Sequence, residues 1–414
     1  MMSLFDDPWF ASGELATLYG EEKAGRARAI RDRARQFCKE EAPSWGEQIE
    51  RDGKIPEALW QRMTELGFHK LTLPEWAGGE GLPLALYFPI LEEIAHGHGA
   101  IRMVFHAYNS IWRTLEKGSS EQQKYWFPRL VKEGRSAAFA LTEPDYGTGI
   151  DLHTMASEQD GHFVLNGRKH LITFAEESAF ITVIAKMEGA AGRGALTAFL
   201  LTKDHPGLEL ENMAPMMGDI GCTHAILTFK DCRVTKDEVI GGVGNGYDVA
   251  LHAFLDQSRA GIATSMVGLS QEALNAALEQ VQNRKTFGKA LVSRQAVQMK
   301  LAEMQIAVQS ARLLCMDAAK KYDQGEDISV EASMAKAHAI SASQRVTDDA
   351  LNLFGGIGYS KTSPVERLYR DARSLWFEEG TSDMQKMTVA EALITHARRQ
   401  KRRARHRAHS GAGE

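Results

Sequence analysis

Cysteine is scarce in this sequence. The chain has 4 cysteines among 414 residues, and none of them belongs to a C-x-x-C pair. The cysteines are Cys38, Cys222, Cys232 and Cys315. Because they are so widely spaced, a disulfide scaffold and a cysteine zinc site are both disfavoured. Free cysteines at this frequency are typical of a protein from a reducing compartment.

Long apolar runs and targeting signals are also missing. No stretch approaches the roughly 20 apolar residues that cross a bilayer, so no membrane span is expected. The first residues, MMSLFDD, contain no basic segment or Arg-rich leader, which favours a cytoplasmic location. The chain is 43% hydrophobic and 25% charged, as an ordinary globular protein is. At about 150 residues per domain, its length allows two or three domains.

Positive charge is lacking over most of the chain. The net charge is −5, but residues 398–407 hold seven of the 49 Lys and Arg, and one of the 54 Asp and Glu follows them. Residues 1–397 therefore carry a net charge of −11. An acidic body binds nucleic acid poorly, so nucleic acid is not an expected partner. Residues 398–414 are predicted to form a basic, disordered tail.

Residues 1–135 are predicted to form an N-terminal all-α domain. Apolar residues recur at helical spacing in four segments, at 27–41, 56–66, 84–95 and 101–115, and the last pattern resumes at 121–130 after Gly-Ser-Ser. The segment at 71–82, LTLPEWAGGEGL, carries proline and glycine turn signals and is predicted to be a loop.

Residues 136–242 are predicted to form a middle β domain. Asn166-Gly167 is a strong signal for a type I′ turn, and it predicts a hairpin between strands at 162–165 and 169–174. Further short apolar runs are separated by turn residues. The glycine-rich segment Gly241–Gly246 lacks the G-x-G-x-x-G order and is interpreted as a turn between domains.

Residues 243–397 are predicted to form a C-terminal four-helix bundle. Small and apolar residues recur every three or four positions along 297–314 and along 332–353, which indicates core-facing stripes of long helices. The predicted fold class is therefore α+β, with an N-terminal helical domain, a small β-sheet or barrel domain, and a helical bundle.

Several short motifs occur in a fixed order along the chain. They are LTEPDYGT (141–148), NGRKHLIT (166–173), DQSR (256–259), RKTFG (284–288) with Gln295, FGGIGY (354–359), RDAR (370–373) and EGT (379–381). The motifs of P-loop proteins, serine hydrolases and zinc proteases are absent. The series closely resembles the acyl-CoA dehydrogenase family of flavoenzymes, and the resemblance covers residues 15–397.

The resemblance implies an enzyme with bound FAD and the α–β–α architecture of the family. It implies removal of a proton from the carbon α to an acyl-CoA thioester, hydride transfer from the β carbon to flavin N5, and a trans-2-enoyl product. Because the α proton is a very weak acid, such a site needs a base whose pKa is raised by burial. No metal is expected.

Glu379 matches the family position of that base. Some members carry the base on the residue before the bundle arginine, which is Ser258 here, and a serine cannot do this work. Glu378, the residue before Glu379, is expected to have only solvent or a helix N-terminus as the partner of its carboxylate.

Other positions are assigned by the resemblance alone. Flavin contacts fall on Phe139, Leu141, Thr142, Leu171, Ile172, Thr173, Arg284, Phe287, Gln295, Asn352, Gly355, Gly356, Thr381 and Asp383. Of these, Arg284, Phe287, Gln295 and the loop at 352–356 match positions that bind the pyrophosphate and adenine end of the cofactor across a subunit boundary. Substrate contacts fall on Thr148, Asp256, Arg259 and Gly380. The implied partners are a second copy of the chain, most simply in a homotetramer, and electron-transferring flavoprotein or another electron acceptor.

The sequence departs from the family pattern at three positions. Tyr146 and Gly149 replace a small residue and an acid in the loop that faces the substrate's carrier, and Leu171 replaces a tryptophan beside the flavin. Polar or bulky residues at 106–109 weakly favour a short or functionalised acyl group.

Alternatives remain open at this stage. They are an acyl carrier protein as the thioester carrier, an enoyl reductase, an oxygen-using flavoprotein, and a DNA-associated flavoprotein of the alkylation-response type that uses the basic tail. Dimer and tetramer are not distinguished.

Overall fold

The N-terminal part of the chain is helical, as predicted. The computed structural model describes residues 7–10, 12–145 and 151–410, with side chains as far as Arg403. The helices are α1 (Glu14–Tyr19), α2 (Glu21–Glu40), α3 (Ala42–Asp52), α4 (Glu57–Glu65), α5 (Leu84–Ile94), α6 (Gly99–Ser110) and α7 (Ser120–Glu133). Helix α3 was not predicted, because Pro43 and Gly46 interrupt its pattern. Pro43 lies in the first turn, where a helix tolerates it.

The middle of the chain forms a β-sheet. Its strands are β1 (Ala137–Ala140), β2 (Met155–Gln159), β3 (His162–Thr173), β4 (Phe180–Met187), β5 (Leu196–Leu201), β6 (Leu208–Asn212), β7 (His224–Val234) and β8 (Val239–Ile240). Within the described residues the strand order is β6-β7-β3-β2-β4-β5-β8, and β1 pairs with β4 in parallel. The inward faces share a separate apolar core, so this part of the chain packs as a unit of its own.

The predicted hairpin at Asn166-Gly167 is wrong. Strand β3 runs without interruption through both residues, and the turn lies earlier, at Asp160-Gly161, whose φ values are 47° and 81°. Gly167 instead marks a bulge against β7. A Cβ on Gly167 would lie 2.6 Å from the Cα of Thr154, so this glycine permits close backbone approach.

Long helices form the bundle that follows. They are α9 (Asp256–Asn283), α10 (Gln295–Asp323) and α11 (Ser329–Phe354), preceded by the short α8 (Gly246–Asp248) and a π-helical turn at Val249–Leu255, and followed by α12 (Pro364–Ser374) and α13 (Ser382–Ser410). A small hairpin of β9 (Lys285–Thr286) and β10 (Lys289–Ala290) joins α9 to α10. The predicted stripes are confirmed, since Met304, Val308 and Ala311 of α10 and most of the alanine series of α11 are buried.

The bundle is antiparallel, and this arrangement separates its two ends. Lys300 near the start of α10 pairs with Asp349 near the end of α11. At the opposite end, Lys321 of α10 pairs with Glu331 at the start of α11, with 2.9 Å between Nζ and Oε1. Residues at the start of α9 and α11 therefore share one end of the bundle, and residues that follow these helices share the other.

The basic segment continues the last helix of the bundle as far as Ser410. Ala, Arg and Lys favour helix, and cations at a helix C-terminus interact well with the dipole. No helix in the described part of the chain combines the length and the hydropathy that crossing a membrane requires.

Candidate active site

The carboxylate of Glu379 lies at the junction of α9 with the segment before α13. Ser258 Oγ donates a hydrogen bond to Glu379 Oε1 at 2.5 Å. The other oxygen, Oε2, is buried and has no hydrogen-bond partner among the described residues. The two oxygens are therefore unequal: one is held, and the other is free to take a proton.

The backbone at Glu379 is held in an uncommon conformation. Its φ is 53°, in the left-handed region that residues other than glycine seldom occupy. The carbonyls of residues 378–380 all accept hydrogen bonds: Lys336 Nζ donates to Glu378 O and, at 2.6 Å, to Gly380 O. Arg259 Nε donates to Glu379 O at 3.2 Å. These bonds account for a conformation that would otherwise be unfavourable.

The environment tunes the acidity of Glu379. Burial raises the pKa of its carboxyl to about 7, against the hydrogen bond from Ser258 and the positive charge of Lys336, which both lower it. The nearby charge of Glu378 acts in the same direction as burial. A carboxylate with a pKa near 7 is well matched to take a proton at neutral pH.

Glu378 is bound by a buried arginine, so the expectation that it needs only solvent or a helix N-terminus is wrong. Arg102 of α6 donates through Nη1 and Nη2 to its two carboxylate oxygens, both at 3.2 Å. The same guanidinium donates to Asp219 Oδ2 at 3.1 Å. Burial raises the pKa of Asp219 to about 7, so Asp219 is only partly ionised at neutral pH. Glu378 therefore supplies part of the negative charge that neutralises Arg102.

Two neighbours of the base were missed in the sequence. Lys336 is fully buried, and burial lowers its pKa to about 8. It interrupts the alanine stripe of α11 on the same face as Ala332 and Ala339, and a lysine inside a core-facing stripe was the available signal. Arg102 gave no such signal, because its partners Asp219 and Glu378 are separated from it by 117 and 276 residues along the sequence.

Of the polar residues at 106–109, His106 alone reaches the base. Its Nε2 lies 2.8 Å from Ser258 Oγ. Tyr108 packs edge-to-face on Trp60. Asn109 accepts from the backbone N–H of Leu71 at 2.9 Å and so anchors the loop before α5.

One group of predicted flavin contacts lies after β1 and along β3, and Phe139 links this group to the residues that precede α9. A backbone hydrogen bond joins the segment after β1 to strand β3, and it brings Leu141 and Thr142 near Leu171 and Thr173. Phe139 packs on Phe254 with 4.8 Å between ring centroids, one helical turn before Ser258. The side chain of Ile172 is buried in the β core, so only its backbone is available to a ligand.

The link between these strands is supported by a buried lysine. The amide of His170 donates to the carbonyl of Thr142 at 3.0 Å, and Lys169 Nζ donates to Leu141 O at 2.9 Å. Lys169 also pairs with Glu143 at 2.8 Å, and both side chains are buried. Leu171 has a φ of 57° and is 44% exposed, so its side chain is turned out of the sheet towards open space.

A second group of predicted flavin contacts lies at the opposite end of the bundle. All of its members are exposed in this chain: Arg284 and Phe287 after α9, Gln295 at the start of α10, and Asn352, Gly355 and Gly356 at the end of α11. Ser258 and Arg284 are 26 residues apart on α9 and its C-cap, so at 1.5 Å per residue they are about 39 Å apart. The two groups do not meet within one chain.

The predicted substrate contacts are placed unevenly. Asp256 and Arg259 pair with each other one turn apart on α9, at 3.0 Å, which is the helix-surface ion pair that such spacing allows without any ligand. Gly380 follows the base with a φ of 99°. Thr148, together with Tyr146 and Gly149, lies outside the described residues. The predicted flavin positions Thr381 and Asp383 are exposed at the start of α13.

The residues present fit an FAD. In and after β1, the partly buried Phe139, Leu141 and Thr142 offer an apolar surface with backbone groups beside it. At the far end, Gly355 has a φ of 69° and no atom lies within 4 Å of the place where its Cβ would be. Such open backbone, beside an exposed arginine, suits an anionic pyrophosphate.

Comparison with known proteins assigns the family. Models of the N-terminal, middle and C-terminal domains of acyl-CoA dehydrogenase match residues 25–134, 138–232 and 244–394. The chain is 34% identical to the mitochondrial short-chain specific acyl-CoA dehydrogenase of Bos taurus, over 88% of this chain and 89% of the relative. It is 33% identical to a 3-(aryl)acrylate reductase of Clostridium sporogenes, over 88% of this chain and 97% of the relative.

The fold agrees with that of solved structures. Butyryl-CoA dehydrogenase from Megasphaera elsdenii superposes with a TM-score of 0.83 at 30% identity, covering 89% of this chain and 98% of that one. The fold is thus that of an FAD-dependent oxidoreductase. The chain belongs to the acyl-CoA dehydrogenase family, and the predicted family, fold class and cofactor are confirmed.

Proposed function

We propose that this protein oxidises an acyl-CoA thioester to the trans-2-enoyl-CoA, with Glu379 as the general base. The observation that carries the proposal is the asymmetry of the Glu379 carboxylate. Ser258 binds Oε1, whereas Oε2 is buried and has no partner among the described residues. A base that awaits a substrate proton needs one such uncommitted oxygen.

The proposed reaction uses both oxygens of the Glu379 carboxylate. The α proton of the thioester passes to Glu379 Oε2, and the electron pair of the α C–H bond forms the new double bond. The bound flavin supplies the chemistry that accepts the hydride leaving the β carbon. Ser258 holds Oε1 throughout, so the carboxyl keeps one orientation while its charge changes. Because burial raises the pKa of Glu379 to about 7, the protonated Glu379 that this step produces is well populated at neutral pH.

The substrate is proposed to carry a short or functionalised acyl group. His106 places a polar ring behind Ser258, only two hydrogen bonds from the base. A long straight chain gains little from such surroundings, because burying a polar ring against methylene groups costs solvation. The similarity to short-chain and butyryl-CoA enzymes agrees with this choice.

We also propose that the FAD site is completed by a second copy of the chain. About 39 Å separates Ser258 from Arg284, which is more than one FAD can span, so Arg284 can serve only a neighbour's cofactor. Exposed apolar side chains support assembly: Phe287 is 97% exposed, and Met299, Ile306 and Leu313 recur every seven residues along α10. A homotetramer remains the proposed assembly, with electron-transferring flavoprotein as the proposed acceptor.

A second candidate function is the reverse reaction, reduction of an enoyl thioester. The similarity to a 3-(aryl)acrylate reductase favours it. The same residues would serve, since protonated Glu379 would return its proton to the α carbon. The two directions are distinguished by whether the purified flavoprotein is bleached by saturated acyl-CoAs, or its reduced form is reoxidised by enoyl-CoAs.

Anaerobic titration of the holoenzyme with a panel of acyl-CoAs tests the proposal. The visible absorbance of the flavin should fall with at least one short-chain acyl-CoA, because reduction bleaches the flavin. In Glu379→Gln the reduction rate should fall by about 10⁴-fold, the upper end of general-base effects. Glu391→Gln, an exposed change of the same kind on α13, should behave as wild type. Reduction of Glu379→Gln at the wild-type rate would refute the assignment of the base.

A further inference from the structure

A line of hydrogen bonds leads from helix α6 to the base. His106 Nε2 lies 2.8 Å from Ser258 Oγ, and Ser258 Oγ donates to Glu379 Oε1 at 2.5 Å. His106 and Ser258 are buried, with exposed fractions of 4% and 0%. The imidazole itself does not touch Glu379; it reaches the base only through the serine.

The fold leaves room for this imidazole. Gly261 lies on α9, three residues after Ser258, and a Cβ on it would come within 2.6 Å of His106 Cε1. Any larger residue at this position would displace the ring. The missing side chain therefore lets the imidazole pack against the helix backbone beside the serine it contacts.

The hydrogen-bond network assigns the protons. A serine hydroxyl has one proton, and here it is donated to Glu379. While Glu379 is a carboxylate, the contact with His106 is therefore made by an Nε2–H that donates to Ser258 Oγ. His106 Nδ1 is buried and has no partner among the described residues, as suits the nitrogen without a proton.

The imidazole stays neutral over the working pH range. Burial lowers the pKa of His106 to about 3, and the charge of Arg102 on the same helix acts in the same direction. A neutral ring fixed as the Nε2–H tautomer can donate to the serine but takes no part in proton transfer.

We propose that His106 is a positioning residue that fixes the hydroxyl of Ser258 towards Glu379 and so leaves Oε2 as the atom that receives the substrate proton. The inference rests on the proposed function. Without the donor at 106, the Ser258 hydroxyl is free to turn to a backbone carbonyl one turn earlier, in the π-helical turn that precedes α9, as helical serines do. The carboxylate of Glu379 would then lose a hydrogen bond in a fraction of molecules.

The charged groups around the base define the background of any pH measurement. Lys336 of α11 and Arg259 of α9 favour the carboxylate form of Glu379, and Glu378 opposes it. Arg102 lies one turn before His106 on the same helix, α6, and its charge disfavours a protonated imidazole. None of these side chains is changed in the variants below, so a shift in the pKa of Glu379 reports on the serine and the imidazole.

The test uses four holoenzyme variants: His106→Leu, His106→Gln, Ser258→Ala and the Leu/Ala double variant. The pKa of Glu379 is read by infrared difference spectroscopy from the carboxylic acid band that is absent in Glu379→Gln. A hydrogen bond to a charged group is worth about 1.5–3 kcal/mol, so Ser258→Ala should raise the pKa by about 1 to 2 units. His106→Leu should raise it in the same direction, and His106→Gln, which keeps an N–H donor, should restore it.

The double variant gives the decisive comparison. If His106 acts only through Ser258, His106→Leu adds nothing in the Ser258→Ala background. A rise of one unit from about 7 leaves about one fifth as much carboxylate at pH 7, so flavin reduction should slow by about fivefold there and recover by about pH 9. His69→Gln, which alters a buried imidazole bonded to Val131 O, should leave the pKa of Glu379 unchanged.

Two results would overturn the proposal: an unchanged pKa of Glu379 in His106→Leu, or additive shifts in the double variant. The infrared reading needs no substrate. A wild-type flavin that no acyl-CoA reduces would therefore count against the proposed function, while the pKa series would still decide the role of His106.

Discussion

Lys336 lies under the backbone of Glu379 and donates hydrogen bonds to the carbonyls on both sides of it. Its Nζ binds Glu378 O and, at 2.6 Å, Gly380 O. The lysine is fully buried, and its charge favours the carboxylate of Glu379. One side chain therefore supports both the shape and the acidity of the base.

Replacing Lys336 should affect both properties. In Lys336→Met the carbonyls lose their donor and the carboxylate loses a nearby positive charge, so the pKa of Glu379 should rise above about 7. We expect flavin reduction at pH 7 to slow by about fivefold or more, since a rise of one pKa unit alone leaves about one fifth as much carboxylate. Rapid-reaction measurements check this. Lys361→Met, on an exposed residue, is the control, and equal rates in the two variants would contradict the role.

Glu378→Gln should lower stability more than it lowers the rate. The change leaves the buried guanidinium of Arg102 with Asp219 as its only charged partner among the described residues. Weakening a buried ion pair in this way should cost about 1–3 kcal/mol of unfolding free energy. Thermal unfolding with excess FAD measures the loss, with Glu391→Gln as the exposed control. An unchanged melting temperature would mean that the ion pair contributes nothing to stability.

The raised pKa of Glu379 predicts a specific dependence of stability on pH. Because its pKa is about 7 when folded and 4.5 as a model group, the folded state binds the proton more tightly, and wild type should lose stability as pH rises from about 4.5 to 7. Glu379→Gln has no such proton. Its unfolding free energy should therefore exceed that of wild type increasingly from about pH 5 to pH 8, by about 3 kcal/mol at the upper end, since the shift from 4.5 to about 7 is worth about 1.36 kcal/mol per unit. Denaturant unfolding across this range measures the difference, and a constant value would exclude a shifted pKa.

Arg284→Ala should weaken retention of FAD. The guanidinium is exposed at the end of α9 and is proposed to bind the cofactor of a neighbouring subunit. Loss of a charge-assisted bond to a phosphate should weaken FAD binding by about tenfold or more. The ratio of flavin to protein after gel filtration measures this, with Arg51→Ala as an exposed control. Full FAD occupancy in a stable monomer would refute the cross-subunit site.

Removing residues 398–414 should leave catalysis unchanged. The basic part of this segment extends α13 beyond the bundle, and the rest of the chain is acidic. We expect equal flavin reduction and FAD content in the shortened protein, and no binding of duplex DNA by either form at physiological salt. A gel shift that weakens steeply with salt and is lost on truncation would instead support the DNA-associated alternative.

The regular elements were predictable because their signals are local. The alanine series of α11 and the apolar series of α10 repeat with the helical period, and burial follows that period directly. The hairpin was misplaced because two glycine-containing dipeptides compete within a few residues. Asp160-Gly161 forms the turn, while Gly167 is required by the approach of Thr154, a contact that sequence spacing does not reveal.

The family motif singled out Glu379 as the proposed base, but the residues around it were not predicted. Arg102 pairs with Glu378, which lies 276 residues later in the sequence. The residues next to Glu378 in the sequence therefore give no sign of its cationic partner. The sequence did offer a signal for Lys336, since it is a charged residue within the alanine stripe of α11. Long-range pairing of charges is set by how the helices pack, and no local pattern encodes it.

The length of α9 has a consequence for mixed assemblies. Ser258, which holds the base, and Arg284, at the cofactor end, are about 39 Å apart, so a complete site would combine one end from each of two chains. Two impaired variants, Glu379→Gln and Arg284→Ala, would then complement each other when co-expressed. In each mixed pair, one site would inherit both defects and the other would inherit neither, so activity at limiting FAD would exceed that of either parent.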